Sequence, residues 1–231
     1  EKFVLINKYI DGISLNVNAC VLGDQVFVSN PSVQLVGLNE CTNRAEIYCG
    51  NDFSSIEYCP EQIIQKSKES VLRIGIWLKN IGYQGLFGVD LIADLNHNIV
   101  YPIDLNPRFQ NSTYLLTQME IRSGVIPLTV LNIATQIGVK RGEFPNPTMI
   151  DMIGSQIILH NISDETVMIN QNFLPGVYTK NNESFSRIRD GFSLLDVKYD
   201  EEFIVTCAVP RKGTIVKPGA PLLKILTLQR V

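Results

Sequence analysis

Apolar and polar positions change rhythm several times along the chain, and each change predicts an element. Residues 1–10 form an apolar-rich run that reads as a strand, and Asp11-Gly12 reads as a turn. Leu15, Val17, Ala19 and Val21 then alternate with polar or small residues, the period of a half-buried strand. Gly23-Asp24 separates that strand from Val26-Phe27-Val28 and predicts a two-residue hairpin. From 31 to 52 the chain is polar, with Gly37, Asn39, Thr42, Asn43, Gly50 and Asn51, and reads as a long loop with little order.

Helical spacing takes over at Pro60-Glu61. Ile63, Ile64, Val71, Ile74, Leu78 and Ile81 recur on one face until Gly82 stops the helix. The lone tryptophan, Trp77, reads as part of the buried face. Two strands follow over 85–94 and 98–105 around the polar turn at His97, then helices over 114–121 and 127–137. The stretch 142–146, with Pro145 and Pro147 beside it, is the linker candidate. Beyond it, 153–159, 167–169, 203–208 and 222–227 predict short strands with Pro-Gly turns between them.

Composition narrows the class. Of 231 residues 45% are hydrophobic and 19% charged, which suits a globular chain with one large or two small domains. A net charge of −3 excludes the basic footprint of a nucleic-acid binder or a membrane-surface protein. No apolar run approaches the roughly 18 residues that would span a bilayer. Cys20, Cys41, Cys49, Cys59 and Cys207 are odd in number and fall into no metal-ligand spacing, so they read as reduced thiols of a cytoplasmic protein. His97 and His160 have no catalytic partner at a telling spacing and read as structural. A start inside a β run, without Met, reads as a fragment.

The chemistry concentrates in Gly88-Val89-Asp90-Leu91 and Tyr101-Pro102-Ile103-Asp104-Leu105-Asn106-Pro107-Arg108. Side chains of a strand alternate between faces, so Asp104 and Asn106 share one face while Ile103 and Leu105 take the other. If the strands pair around His97, Asp90 comes opposite or diagonal to Asp104, and Val89, Leu91 and Ala93 can pack on the helix at 60–81. Opposed carboxylates repel, and a cation between them removes the conflict. Two carboxylates and an amide oxygen are hard ligands, suited to Mg²⁺ or Mn²⁺ rather than zinc. Arg108 adds a permanent cation where phosphate charge would collect. A solvated strand face ending in an Asn-Pro turn explains the same spacing without chemistry.

These residues resemble the ATP-grasp superfamily, whose metal hairpin carries one acidic residue on the first strand and an acidic-x-Asn-x-Arg run on the second. Phe109-Gln110-Asn111-Ser112-Thr113 resembles the continuation found in the amino-imidazole ribonucleotide carboxylase group. The resemblance covers about residues 1–140. It implies an α+β fold with an antiparallel sheet and packed helices: the C-terminal half of an ATP-grasp domain over 1–148, followed by a β-rich domain over 149–231. It implies that Asp90, Asp104 and Asn106 hold Mg²⁺ (or Mn²⁺) on the phosphates of ATP and that Arg108 contacts an acyl-phosphate. Most members carry Glu at both acidic positions, where this chain has Asp.

Asn7-Lys8-Tyr9-Ile10 resembles the hinge whose backbone borders adenine, with Asn7 in place of the usual Glu, and Gln34 falls where relatives carry a Gln near the ribose. Ser14 stands where some members have a ribose-binding Glu. The family's N-terminal lobe and phosphate-covering lysine strand are absent from these residues, which implies a poor catalyst in isolation. The implied function is an ATP-dependent ligase of small-molecule carboxylates and amines. The alternatives are a biotin- or purine-type carboxylase, or a nucleotide-binding module without turnover.

Overall fold

The computed structural model describes residues 4, 6–139, 152–181, 184–207 and 209–231. In chain order the elements begin with β1 (Ile13–Leu22), β2 (Gln25–Val28), β3 (Ser32–Val36) and β4 (Tyr48–Asp52). Helix α1 (Glu61–Asn80), the hairpin β5 (Gly85–Asp94) and β6 (Ile99–Asn106), and helices α2 (Thr113–Arg122) and α3 (Leu128–Gln136) follow. The remainder is β7 (Ser155–His160), β8 (Val167–Met168), β9 (Gly176–Asn181), β10 (Ser184–Arg189), β11 (Glu202–Thr206), β12 (Ile215–Val216) and β13 (Pro221–Thr227).

One antiparallel sheet dominates. Its strands run in the order β10-β9-β11-β13-β7-β4-β3-β1-β5-β6, with β2 also on β1, while β8 and β12 pair apart from it. Strand β4 pairs with β7, so strands from both sides of the boundary expected at 148/149 lie in the same sheet. The expected linker at 142–146 lies outside the described residues. None of the described helices is long and apolar enough to cross a membrane.

Two apolar cores sandwich the β1–β5 region. On one face Leu15, Val17, Ala19 and Val21 of β1 and Val89, Leu91 and Ala93 of β5 meet the apolar stripe of α1, at Ile63, Ile64, Val71 and Leu78. Gly75 lets the helix approach closely, since a Cβ there would stand 2.4 Å from Val26. On the other face Cys20 and Leu22 join Leu115, Leu116 and Met119 of α2 and Leu128 and Leu131 of α3. Strand β1 is therefore buried on both faces, not half-buried as its alternation suggested, because α2 and α3 return over its polar side.

Four further expectations are corrected. Residues 6–10 form no strand; β1 begins at Ile13, where its pairing with β5 begins, and Ile6 and Tyr9 are exposed with no strand beside them. The polar stretch 31–52 is not a loop throughout, because β3 and β4 lie within it. Ser32, Asn51 and Asp52 are polar but buried, facing other polar groups rather than water. Trp77 is 54% exposed; it lies one position before Leu78, off the stripe that meets the sheet. Finally, Ile103 does not share the buried face with Leu105. A bulge falls between the pairs Asp90–Asp104 and Leu91–Pro102, which leaves Ile103 unpaired and 56% exposed.

Candidate functional site

The β5–β6 hairpin places the carboxylates. Its turn is held by Asp94, which accepts from the His97 backbone N–H at 3.0 Å and lies 2.7 Å from His97 Nδ1. Asn98 takes φ +53, a left-handed conformation that Asn tolerates. From that turn the register runs back to Asp90 directly opposite Asp104, and Gly88 opposite Asn106. Across β5's other edge Asp90 is paired with Asn16 of β1. Three strands thus carry Asp104, Asp90 and Asn16 side by side.

Asp90 is enclosed by amides. Its Oδ1 accepts from Asn16 Nδ2 at 2.7 Å, from Gln34 Nε2 at 2.8 Å and from Gln110 Nε2 at 3.5 Å. Asn106 Nδ2 lies 3.3 Å from Asp90 Oδ2 and 3.1 Å from Asp104 Oδ2, so both carboxylates converge on one point. Burial raises the Asp90 carboxyl above its ordinary range; the Asp104 charge adds to this, and the amide bonds oppose it. A buried hydrogen-bonded chain supports Asn16 from behind. Ser112 Oγ donates to Asn16 Oδ1 at 2.7 Å, Asn18 Nδ2 to Ser112 Oγ at 2.9 Å, and Thr113 Oγ1 to Asn18 Oδ1 at 2.6 Å. The start of α2 and the β1 strand are locked together by these bonds.

The donor set fits a hard divalent cation. No described ion pair reaches Asp90 or Asp104, and the feature that faces both is the amide N–H of Asn106. Among the described residues no group of three or more His, Cys, Asp or Glu side chains could hold a metal. Asn106 presents its nitrogen to both carboxylates and its oxygen to Arg108, so its amide would turn over to join the two carboxylates as a ligand, leaving positions for phosphate and water that suit Mg²⁺. Arg108 is exposed at the rim, donating Nη2 to Asn106 Oδ1 at 2.7 Å and Nη1 to the Phe109 carbonyl at 3.0 Å.

A polar cavity of about 210 Å³ opens on this cluster, and Asp90, Asp104, Asn106, Arg108 and Gln34 all line it. Asn7, Lys8, Tyr9 and Ile10 do not; they lie in the extended segment before β1, the first three exposed. Asn16, Tyr48, Asn51, Gln110 and Ser112 also belong to the site; Gln110 and Ser112 fall in the run that carries the resemblance, and Asn16 and Tyr48 had no role assigned from sequence. Asn16 sits with Ser14 and Asn18 on the polar face of β1, a face that reads from alternation as solvent-exposed but is buried here at Asn16 and Asn18. Tyr48 and Asn51 were hidden by the polar composition of their segment.

Residues 1–112 match the family model described as an ATP-grasp domain. These residues are thus similar to an ATP-grasp domain over just under half of the chain. Among curated proteins the chain is 26% identical over 126 residues to a [butirosin acyl-carrier protein]–L-glutamate ligase of Niallia circulans, covering 50% of this chain and 30% of that protein. Solved structures share the fold over almost its whole length. One is the biotin carboxylase domain of Hydrogenobacter thermophilus 2-oxoglutarate carboxylase, in complex with MgADP and bicarbonate. Identity is 21% and the TM-score 0.55, over 95% of this chain and 42% of that one. Another is N5-carboxyaminoimidazole synthase of Aspergillus clavatus with ADP, at 13% identity and TM-score 0.52, over 95% and 48%. The chain therefore spans less than half the length of each of these proteins.

Proposed function

We propose that this chain is the metal- and phosphate-handling part of an ATP-dependent ligase that joins a small-molecule carboxylate to an amine through an acyl-phosphate. The observation that carries the reading is the opposed pair of Asp90, enclosed by amides, and the exposed Asp104, neither in an ion pair among the described residues. In this reading residues 1–148 form the ATP-grasp half and 149–231 a β-rich extension.

Asp90, Asp104 and Asn106 would hold Mg²⁺ (or Mn²⁺), which supplies neutralising charge for the triphosphate. A substrate carboxylate oxygen attacks the γ-phosphorus, the bond to the β–γ bridging oxygen breaks, and ADP departs. The amine nitrogen then attacks the acyl carbon, phosphate leaves with the electrons of the C–O bond, and the proton of the amine is released. Arg108, held at the rim by Asn106, offers its fork to the oxygens of the acyl-phosphate. Asn16 and Gln110 fix Asp90. In this reading Asn7 and the backbone of Lys8, Tyr9 and Ile10 would border the adenine, and Gln34, which donates to Asp90, would lie toward the ribose.

A biotin- or purine-type carboxylase is the second reading, favoured by the structural likeness that continues beyond residue 112 into the β-rich part. The deciding assay uses the complete protein in which the chain occurs, with ATP, Mg²⁺, a panel of carboxylates and hydroxylamine. Hydroxamate formation together with ADP release supports the ligase. ADP release that depends on bicarbonate, without hydroxamate, supports the carboxylase. ATP binding with neither product identifies a module without turnover.

A further inference from the structure

Polar side chains run across the sheet on the face that carries the carboxylates. Asp104, Asp90, Asn16 and Ser32 are paired in one row, from β6 through β5 and β1 to β3. Gln34, Asn51 and Gln156 are paired in another, from β3 through β4 to β7. The rows are joined by Gln34 Nε2, which donates to Asp90 Oδ1 at 2.8 Å, and by Asn51 Nδ2, which donates to Ser32 Oγ at 2.9 Å. Gln156 ends the second row; it lies beyond residue 112, in the β-rich part of the chain, and its partner on β13 is the buried Leu226.

Gln156 is wholly buried. It donates Nε2 to Tyr48 Oη at 3.4 Å, and its Oε1 has no partner among the described residues. A buried carbonyl without a partner costs stability, and the neighbours Ile158 and Leu226 are apolar and buried. An apolar side chain would suit the position better, so packing does not account for the amide. Its contact with Tyr48 does. Burial and the nearby Asp90 charge keep the phenol protonated. The Gln156 N–H takes up a lone pair of the phenolic oxygen, and the single phenolic proton goes to Asn51 Oδ1. Asn51 is thereby fixed with its oxygen toward Tyr48 and its nitrogen toward Ser32. Ser32 Oγ in turn donates to the Asn16 carbonyl at 3.5 Å, and Asn16 Nδ2 to Asp90 Oδ1 at 2.7 Å.

We propose that Gln156 is a positioning residue for the metal cluster, acting through Tyr48, Asn51, Ser32 and Asn16 on Asp90. The assignment rests on the metal reading of Asp90 and Asp104, and it adds the β-rich part of the chain to the site. Every strand from β7 to β5 in the sheet order supplies a link: Gln156 from β7, Tyr48 and Asn51 from β4, Ser32 from β3, Asn16 from β1 and Asp90 from β5. The series ends on Asp90 Oδ1 and leaves Oδ2 facing the Asn106 nitrogen that also meets Asp104. Fixing one oxygen of Asp90 in this way sets the direction in which the other is presented to a cation.

The test is Mn²⁺ binding to the complete protein at saturating ADP, followed by electron paramagnetic resonance, beside a thermal melt. Gln156→Met removes the donor and the unpartnered carbonyl with little change in volume. It should weaken Mn²⁺ binding about fivefold, while the thermal midpoint stays unchanged or rises. Ser32→Ala breaks the series in the middle and should weaken binding to a similar degree. The double variant should lose no more than the larger single loss, because both changes act along one route. Wild-type affinity in a folded Gln156→Met overturns the positioning role. So does a loss that adds to that of Ser32→Ala, or one that comes with a lowered midpoint, as a merely structural role would give. Should Gln156→Met fail to fold, Ser32→Ala decides alone, and unchanged affinity in it overturns the series. Asp104→Asn tests the reading beneath. Mn²⁺ binding that is indifferent to Asp104 overturns the metal site and the positioning role together, whereas binding that needs Asp104 and ignores Gln156 overturns the positioning role only.

Discussion

Asp90 and Asp104 stand directly opposite each other on adjacent antiparallel strands, with the side-chain nitrogen of Asn106 3.3 Å from an oxygen of the first and 3.1 Å from an oxygen of the second. Like charges in that relation weaken a sheet. Replacing Asp104 with Asn should therefore leave the thermal midpoint unchanged or raise it slightly. The same change should weaken Mg²⁺-dependent nucleotide binding by about tenfold or more, through loss of a charged ligand. Calorimetric titration of MgATP into the complete protein, beside a melting curve, checks both halves. A falling midpoint with unchanged affinity would make the pair structural.

Asn16 acts through Asp90. Its Nδ2 bond of 2.7 Å is the shortest that Asp90 receives, and Ser112 holds its oxygen. Asn16→Ala should lower metal affinity by roughly 10–100-fold. It should also cost about 1–3 kcal/mol of stability, because buried partners are left unpaired. Asn16→Asp adds a third carboxylate and should lose stability at neutral pH, regained on adding Mg²⁺.

Gly88 permits the approach of Gln110. A Cβ at Gly88 would lie 1.7 Å from Gln110 Oε1, so Gly88→Ala must turn the Gln110 side chain away from Asn16 and Asp90. Because only the end of a flexible side chain is displaced, the expected outcome is reduced turnover with a midpoint close to wild type. A crystal structure of the variant with Gln110 unmoved would refute the explanation.

Arg108 is exposed and contacts only the edge of the site, at Asn106 and the Phe109 carbonyl. Arg108→Lys keeps the charge and loses the fork. Its kcat should fall by roughly 10²–10³, with a smaller effect on substrate KM. Stability should not change. Steady-state kinetics of the complete protein decide this, and a near-normal kcat removes Arg108 from the chemistry.

Glu120 of α2 gives a prediction about pH. It is wholly buried; Oε2 accepts from the Leu128 backbone N–H at 3.1 Å at the start of α3, and Oε1 has no partner among the described residues. Burial pushes its carboxyl from an ordinary 4.5 up to about 8, against the Leu128 bond. Below pH 4.5 the group is protonated in folded and unfolded chains alike. Between 4.5 and about 8 the unfolded chain releases the proton while the folded chain keeps it, so stability falls as pH rises through that window. Glu120→Gln retains an oxygen for Leu128 and cannot ionise. Unfolding free energies from urea titrations at about pH 5 and pH 8 should differ in wild type by on the order of a few kcal/mol, the lower value at the higher pH, and should converge in the variant. An equal pH dependence in both proteins would remove Glu120 as its source.

The sequence by itself determined the elements whose signals are local. The apolar spacing of α1, the Gly23-Asp24 hairpin and the pairing of β5 with β6 around His97 were all legible, and so was the convergence of Asp90, Asp104 and Asn106. Each depends on periodicity, a turn residue or neighbours a few positions apart. What only the tertiary structure decided concerns groups far apart in the chain. Polar residues in β3 and β4 look like loop residues until the fold buries them against one another. Asn16 becomes a support for Asp90 only when β1 lies beside β5, 74 positions away. The bulge that expels Ile103 depends on how two strands settle into register, which alternation alone does not specify. A polar side chain reads the same in sequence whether it faces water or a carboxylate, because its chemistry is set by the partner that folding supplies.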